Sequence, residues 1–239
     1  MNSFASPQIF TALPFSRTDT GKPPADDLYS RIVDAILEQR IHAASRFTED
    51  SMAQMFSARR SDIRGVLTQL SHQQIIILRT HHRPRVAAPD AEQIRQTLHA
   101  RRLTEITLVR LACQQPHPQD LKRLRALIDS ERQCTARGPA IRLSGEFHLQ
   151  LAEMAGNAPL AHFLGTLVPL TSLAIAQFDA QFDAQAGGDC AWQEHMEIVD
   201  AVERGDATAA EMLMTRHLDH LDEKLLNAGS VVSQNRVAG

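Results

Sequence analysis

The 239-residue sequence predicts a mainly α fold, an N-terminal winged helix–turn–helix followed by a C-terminal antiparallel bundle of six helices. Three observations carry this expectation. The stretch from Phe47 to Leu70 splits into two short amphipathic segments around a tight break. A β-branched run, Ile75-Ile76-Ile77-Leu78, is punctuated by Thr80-His81-His82-Arg83-Pro84 and resumes as Arg85-Val86-Ala87, the pattern of a small β-hairpin. From Ala91 onward, helical stretches alternate with short proline- and glycine-based breaks.

The elements follow in chain order. Residues 1–27 are polar and hold Pro7, Pro14, Pro23 and Pro24, the composition of a flexible arm with little to bury. Asp26 or Asp27 can cap a first helix that continues through Leu28, Ile32, Ile36 and Leu37. In the third segment Ile63, Val66, Leu67 and Leu70 make one buried stripe. Its opposite side carries Arg60, Ser61, Arg64 and Thr68, with Arg60 and Arg64 one turn apart. A helix that buries one face and offers guanidinium and hydroxyl groups near its N-terminus suits a DNA major groove. The hairpin then serves as a wing, and Pro89-Asp90 closes a domain spanning residues 28–89. Helices are expected over 91–113, 118–136, 139–156, 158–184, 190–204 and 206–227. The breaks fall at Pro116 and Pro118, Gly138-Pro139, Gly156-Asn157, Gly187-Gly188 and Gly205-Asp206. Short connections make such helices antiparallel neighbours. The bundle domain covers 90–228, and 229–239 forms a flexible tail.

Composition narrows the function. With 43% hydrophobic and 22% charged residues the chain can bury a substantial core. No apolar run is expected to approach the roughly 20 residues of a membrane span, and the N-terminus lacks a basic-then-apolar secretory pattern. A cytoplasmic protein with no membrane partner is the expectation. Cys113, Cys134 and Cys190 form neither CxxC nor a disulfide framework, so they read as reduced thiols. The net charge of −3 hides an asymmetry. Between residues 59 and 85, six arginines (Arg59, Arg60, Arg64, Arg79, Arg83 and Arg85) stand against Asp62 alone, a local excess of +5, while residues 91–239 hold more acids than bases. A basic segment on an acidic body can find nucleic acid without general stickiness.

A second constellation lies in the bundle. His217 shares the i±4 line with Leu213 and Leu221, His195 a stripe with Ala191, Ile198, Val199 and Val202, and His148 one with Leu151, Ala152 and Ala155. His220, in line with Arg216 and Lys224, should face solvent. Three inward imidazoles on three helices are either hydrogen-bonded core residues or convergent ligands for zinc or a similar divalent ion. Arg101 and Glu105 stand at i, i+4, as a surface ion pair or as part of a binding site. Asn157 can cap a helix or reach a pocket, and Trp192 reads as packing.

Several short motifs occur in one order across both halves. They are Leu28-Tyr29 with Ile32, Arg46-Phe47-Thr48-Glu49, Arg60-Ser61-Asp62-Ile63-Arg64, Glu146-Phe147-His148, Ala155-Gly156-Asn157, Glu194-His195, Gly205-Asp206 and His217-Leu218. Over about residues 28–227 this set resembles the GntR transcription regulators of the FadR-type subfamily with an FCD effector domain. Six rather than seven bundle helices resemble the VanR-like branch. The resemblance implies base or phosphate contacts by Arg60 and Arg64, positioning contacts by Thr48, Arg59 and Ser61, and phosphate contacts by Arg83 and Arg85. It implies a divalent metal on His148, His195 and His217. It also implies a small effector, a carboxylate, met by Arg101, Ser144, Asn157 and the same histidines.

The departures matter too. The family commonly has arginine where this chain has Asp50, a turn glycine at Ser57, a wing glycine at Arg83, and an aspartate ligand at Ser144. A serine hydroxyl is a poor ligand for a divalent ion. Either three histidines hold the metal with water or effector completing the shell, or the site is metal-free and the histidines bond the effector directly. The resulting expectation is a homodimeric repressor of a catabolic or transport operon, binding a pseudo-palindromic double-stranded DNA operator and sensing a small molecule. The alternative is a metal-dependent hydrolase or lyase with a three-histidine site, which leaves the winged domain unexplained and lacks an HExxH motif. A third reading makes the bundle a dimerisation module only.

Overall fold

The computed structural model describes residues 25–179 and 191–237, with side chains over 28–177 and 191–225. Three helices and a two-stranded hairpin come first: α1 (Ala25–Leu37), α2 (Glu49–Phe56), α3 (Arg60–His72), β1 (Ile76–Ile77) and β2 (Arg85–Val86). The bundle follows as α4 (Ala91–Ala112), α5 (Pro118–Gln133), α6 (Arg137–Met154), α7 (Ala158–Asp179), α8 (Ala191–Glu203) and α9 (Ala207–Val237). The strands pair antiparallel, Ile76 opposite Val86 and Ile77 opposite Arg85. This is the mainly α, winged helix–turn–helix plus helical bundle that the periodicity predicts.

Local chemistry explains the boundaries. Thr48 caps α2 through a reciprocal box, its Oγ1 accepting from Ser51 N–H at 3.1 Å while Ser51 Oγ accepts from Thr48 N–H at 2.9 Å. Asp90 and Gln93 form the same box on α4. Proline opens α5 as its first residue. Three expectations need correction or fall elsewhere. α9 runs on to Val237, through most of the stretch expected as a flexible tail. Of the arm expected at 1–27, residues 25–27 already belong to α1, and 1–24 lie outside the described residues, as do the Gly187-Gly188 break and Cys190. The expected absence of a long apolar helix also fails: Ala158–Gln177 has a mean hydropathy of 1.5 over 20 residues, long and apolar enough to cross a membrane by composition. Its packing supplies a reason. Leu173 and Ala176 enter the winged-domain core, Leu164 and Val168 pack with Leu108 and Leu149, and Ala174 packs with Ile94 and Leu98. A helix that meets neighbours on several sides is apolar on several sides.

The two halves therefore share structure. The winged-domain core gathers Ile32, Ile36, Met52, Phe56, Ile63, Leu67, Leu70, Ile76 and Val86 around those two α7 residues. Gln177 Nε2 donates to Ala87 O at 2.8 Å. α1 lies against α6, where Arg142 Nε donates to Asp34 Oδ1 at 2.7 Å and its Nη1 to Glu146 Oε1 at 2.8 Å. These three side chains are only 14–16% exposed, so solvent screens the pairs weakly. Gly138, near the start of α6, fits so closely that a Cβ there would sit 2.7 Å from Asp34 O and 2.7 Å from Glu38 Cγ.

Two predictions follow from this geometry. Alanine for glycine inside a helix ordinarily stabilises by about 1 kcal/mol. Gly138→Ala should instead destabilise by roughly 1–3 kcal/mol, because the new methyl overlaps a backbone oxygen of α1; a raised melting temperature would refute this contact. Ser57, between α2 and α3, holds φ 51° and ψ 45°, left-handed backbone that an L side chain disfavours by about 1–2 kcal/mol. Ser57→Gly should raise the unfolding free energy by roughly 0.5–1 kcal/mol in chemical denaturation, and a decrease would contradict the strain.

Candidate functional site

The bundle brings His148 (α6), His195 (α8) and His217 (α9) together, 3%, 0% and 6% exposed. One nitrogen from each lies within 4.8 Å of the others. His148 Nε2 and His217 Nε2 are 3.2 Å apart. Each ring also meets a carboxylate through Nδ1: Glu105 Oε2 of α4 at 2.6 Å from His148, Glu131 Oε2 of α5 at 2.9 Å from His195, and Glu194 Oε2 of α8 at 2.7 Å from His217. An ionised carboxylate only accepts, so the hydrogen bonds of His195 and His217 place a proton on Nδ1 and leave Nε2 a lone pair, while His148 Nδ1 and Glu105 Oε2 are in close polar contact without hydrogen-bond geometry. The Nε2 atoms face one another. His195 Nε2 is buried with no hydrogen-bond partner, and Phe147 stacks on the same ring at 4.0 Å.

The electrostatics agree with the geometry. Burial depresses His148 to about 3 and His195 well below the ordinary imidazole value, so both rings are neutral at physiological pH. The hydrogen bond from His217, with a second from His220, holds Glu194 down at about 2. Burial alone would raise Glu105, yet Arg101 and His148 beside it hold its carboxyl well below the usual range. Imidazoles with inward Nε2 atoms and outer carboxylates at Nδ1 are the donor set of a zinc-type site, and the orphaned His195 Nε2 gives a cation a buried partner. Ser144 stands one turn before His148 on α6, half-buried.

Other sequence candidates take definite places. Arg101 is no surface residue: its side chain is 3% exposed, Nε donates to Glu105 Oε1 at 2.6 Å, and Nη2 is buried without a partner. Asn157 caps α7, its Oδ1 accepting from Leu160 N–H at 3.2 Å. Trp192 packs at the edge of the bundle core with Arg132 over its ring. His220 is exposed, as expected, yet its Nδ1 contacts Glu194 Oε1 at 2.6 Å. The ring partners Glu105, Glu131 and Glu194 are residues that the helical stripes do not connect to the histidines. Glu194 is adjacent to His195 in sequence and Glu105 is one turn from Arg101, but nothing local links Glu131 to residue 195. Arg125 supplies the link by clasping α5 to α8, with 2.7 Å to Asp200 and 2.5 Å to Glu203.

The second candidate surface is the start of α3 with the wing. Arg59, Arg60, Ser61 and Arg64 are exposed there, as are Arg83 and Arg85 on the hairpin. The left-handed wing residue is His81 at φ 62°, so the arginine at 83 puts no such strain on the wing. Thr48 spends its hydroxyl on the α2 cap. Glu49 at the start of α2 takes Arg64 by a two-point fork at 2.9 and 2.8 Å and Arg60 Nε at 2.9 Å, which together hold its carboxyl down at about 2.

The buried histidines carry a pH dependence. A histidine with a folded pKa below its unfolded value takes up a proton on unfolding, so stability is full above about 6.5 and declines as pH falls through that value toward about 3. Denaturant titrations of the metal-free chain from pH 7 to pH 5 should show this decline, with His148→Gln reducing it. A flat profile would contradict neutral buried rings. Glu105 and Glu194 lose their contributions only at lower pH, since their pKa values are depressed.

The FCD domain matches residues 96–220, which contain all three histidines and their carboxylate partners. NanR of Cronobacter sakazakii, an HTH-type transcriptional repressor, is 28% identical over 246 aligned residues, covering 92% of this chain and 94% of the relative. NanR of Escherichia coli is 25% identical over 246, covering 92% of each. Among solved structures, E. coli McbR/YncC superposes with a TM-score of 0.69 at 13% identity, over 85% of this chain and 97% of that one. A GntR regulator from Rhodococcus sp. RHA1 gives 0.66 at 19%, over 85% and 98%. These structures share the fold, helix–turn–helix and helical domain alike. With its matched region spanning more than half its length and built around the histidine cluster, the chain belongs to the FCD-domain family.

Proposed function

We propose that the protein is a homodimeric, cytoplasmic transcription repressor of the GntR type that reads a two-fold operator through α3 and answers to a small carboxylate at the histidine site. The observation that carries this reading is the course of α6. One helix bears His148 in the bundle and, a turn and a half earlier, the Arg142 that bonds Asp34 on α1 of the winged domain. A ligand that favours one placement of α6 therefore bears on the winged domain, provided it binds the two placements unequally. His148, His195 and His217 would hold a divalent ion, which supplies a positive charge for an anionic effector; Arg101, with a free buried Nη2, stands behind Glu105 as a second cationic group. Two-fold proteins read two half-sites, one recognition helix in each. The repressor relatives support this assignment. A hydrolase or lyase on the same histidines would want a free general base, and the three carboxylates at hand are all engaged with Nδ1 atoms.

Elemental analysis of the purified chain should find about one divalent ion per protomer, lost with a lowered melting temperature in His148→Ala/His217→Ala. Equal metal content in that variant would remove the site. Duplexes enriched from a random pool should lose affinity for Arg60→Ala and Arg64→Ala by about 1–3 kcal/mol each if these residues read bases, and no loss in either would sink the DNA assignment. Arg142→Ala should keep metal binding but shrink the response of DNA affinity to any active carboxylate found by thermal-shift screening. A full response in that variant would place the coupling elsewhere.

A further inference from the structure

We infer that Asp50 is a specificity-determining residue of the α3 surface, competing with DNA phosphates for Arg60 and so suppressing binding to non-cognate sequence. The inference rests on the DNA-reading proposal. Arg60 Nη1 lies 3.2 Å from Asp50 Oδ1, while its Nε is held by Glu49. The two carboxylates have different characters. Glu49 is 23% exposed and uses both oxygens on Arg60 and Arg64, so it fixes the directions of both guanidinium groups. Asp50 is 65% exposed and makes a single contact, so a ligand arriving from solvent can displace it.

Charge at this surface then differs from what the recognition segment alone suggests. Arg59, Arg60 and Arg64 are met by Asp62, Asp50 and Glu49, three cations against three anions. Arg79, Arg83 and Arg85 on and beside the hairpin are exposed and have no carboxylate partner among the described residues. Phosphate attraction thus comes mainly from the wing, and α3 presents a neutral, oriented reading head. Non-specific binding is almost entirely phosphate neutralisation, whereas base edges are uncharged dipoles. A carboxylate beside Arg60 opposes a phosphate more than it opposes a guanine edge. This is discrimination by a repulsive element aimed at the wrong complex.

The test compares wild type with Asp50→Asn, which keeps the shape and removes the charge. Fluorescence anisotropy is read across a KCl series on a mixed-sequence duplex and on a duplex enriched by the wild-type chain. Asp50→Asn should bind the mixed duplex a few-fold tighter, with a salt slope steeper by up to about one unit. It should gain less on the enriched duplex, so the specificity ratio falls. Glu49→Gln should instead weaken the enriched duplex, because Arg60 and Arg64 lose their orientation. Mixed-duplex affinity and slope unchanged or reduced in Asp50→Asn overturn the inference while the DNA reading stands. If the wild type enriches no sequence and Arg83→Ala/Arg85→Ala leaves mixed-duplex binding unchanged, the DNA reading itself has failed and this inference with it.

Discussion

Three imidazoles buried at one point each demand a polar partner for the ring nitrogen that faces away from the cluster, and that constraint organises the bundle. A buried charged ring without a partner is severely penalised, and a buried N–H without an acceptor forfeits roughly 1–3 kcal/mol. The protein meets the demand with three carboxylates from three different helices, Glu105 of α4, Glu131 of α5 and Glu194 of α8. Those carboxylates in turn need support: Arg101 for Glu105, and the Arg125 clasp to bring α5 beside α8. Arg102 of α4 pairs with Asp219 of α9. Five of the six bundle helices are thereby fixed around the inward-facing Nε2 atoms.

The sixth, α7, links this arrangement to the winged domain from behind. Its apolar residues serve the winged-domain core at one end and the bundle at the other. Together with the Asp34–Arg142–Glu146 pairs and the tight seat of Gly138, it makes the boundary near residue 90 a change of architecture within a shared core. A winged domain seated in this way cannot shift without disturbing α6 or α7. The histidines and the winged domain are therefore mechanically connected, although they are far apart in sequence.

Much of the fold was legible because helical periodicity and proline or glycine breaks are local signals. All six bundle helices begin within two residues of where a cap or breaker places them, α6 for instance at Arg137 beside Gly138-Pro139. The inward direction of His148, His195 and His217 followed from their stripes in the same way. What local pattern could not give was partnership across helices. Glu131 meets His195 only because α5 and α8 are clasped, and Arg101 becomes buried only when α4 is covered. The +5 count around α3 omitted Glu49 and Asp50, which precede it in sequence and fold back onto it. The tail past 228 opens with Gly229, and α9 runs through that glycine to Val237.

The central claim is that the histidine site and the winged domain form one connected system. Hydrogen–deuterium exchange of the full chain, metal-free and then saturated with Zn²⁺, tests it most directly, because amide protection reports local opening. The account predicts slower exchange in the segments around His148, His195 and His217, and also in α1 where Asp34 meets Arg142. Protection that leaves all three histidine segments unchanged, or that stops at the bundle with α1 unaffected, would contradict it.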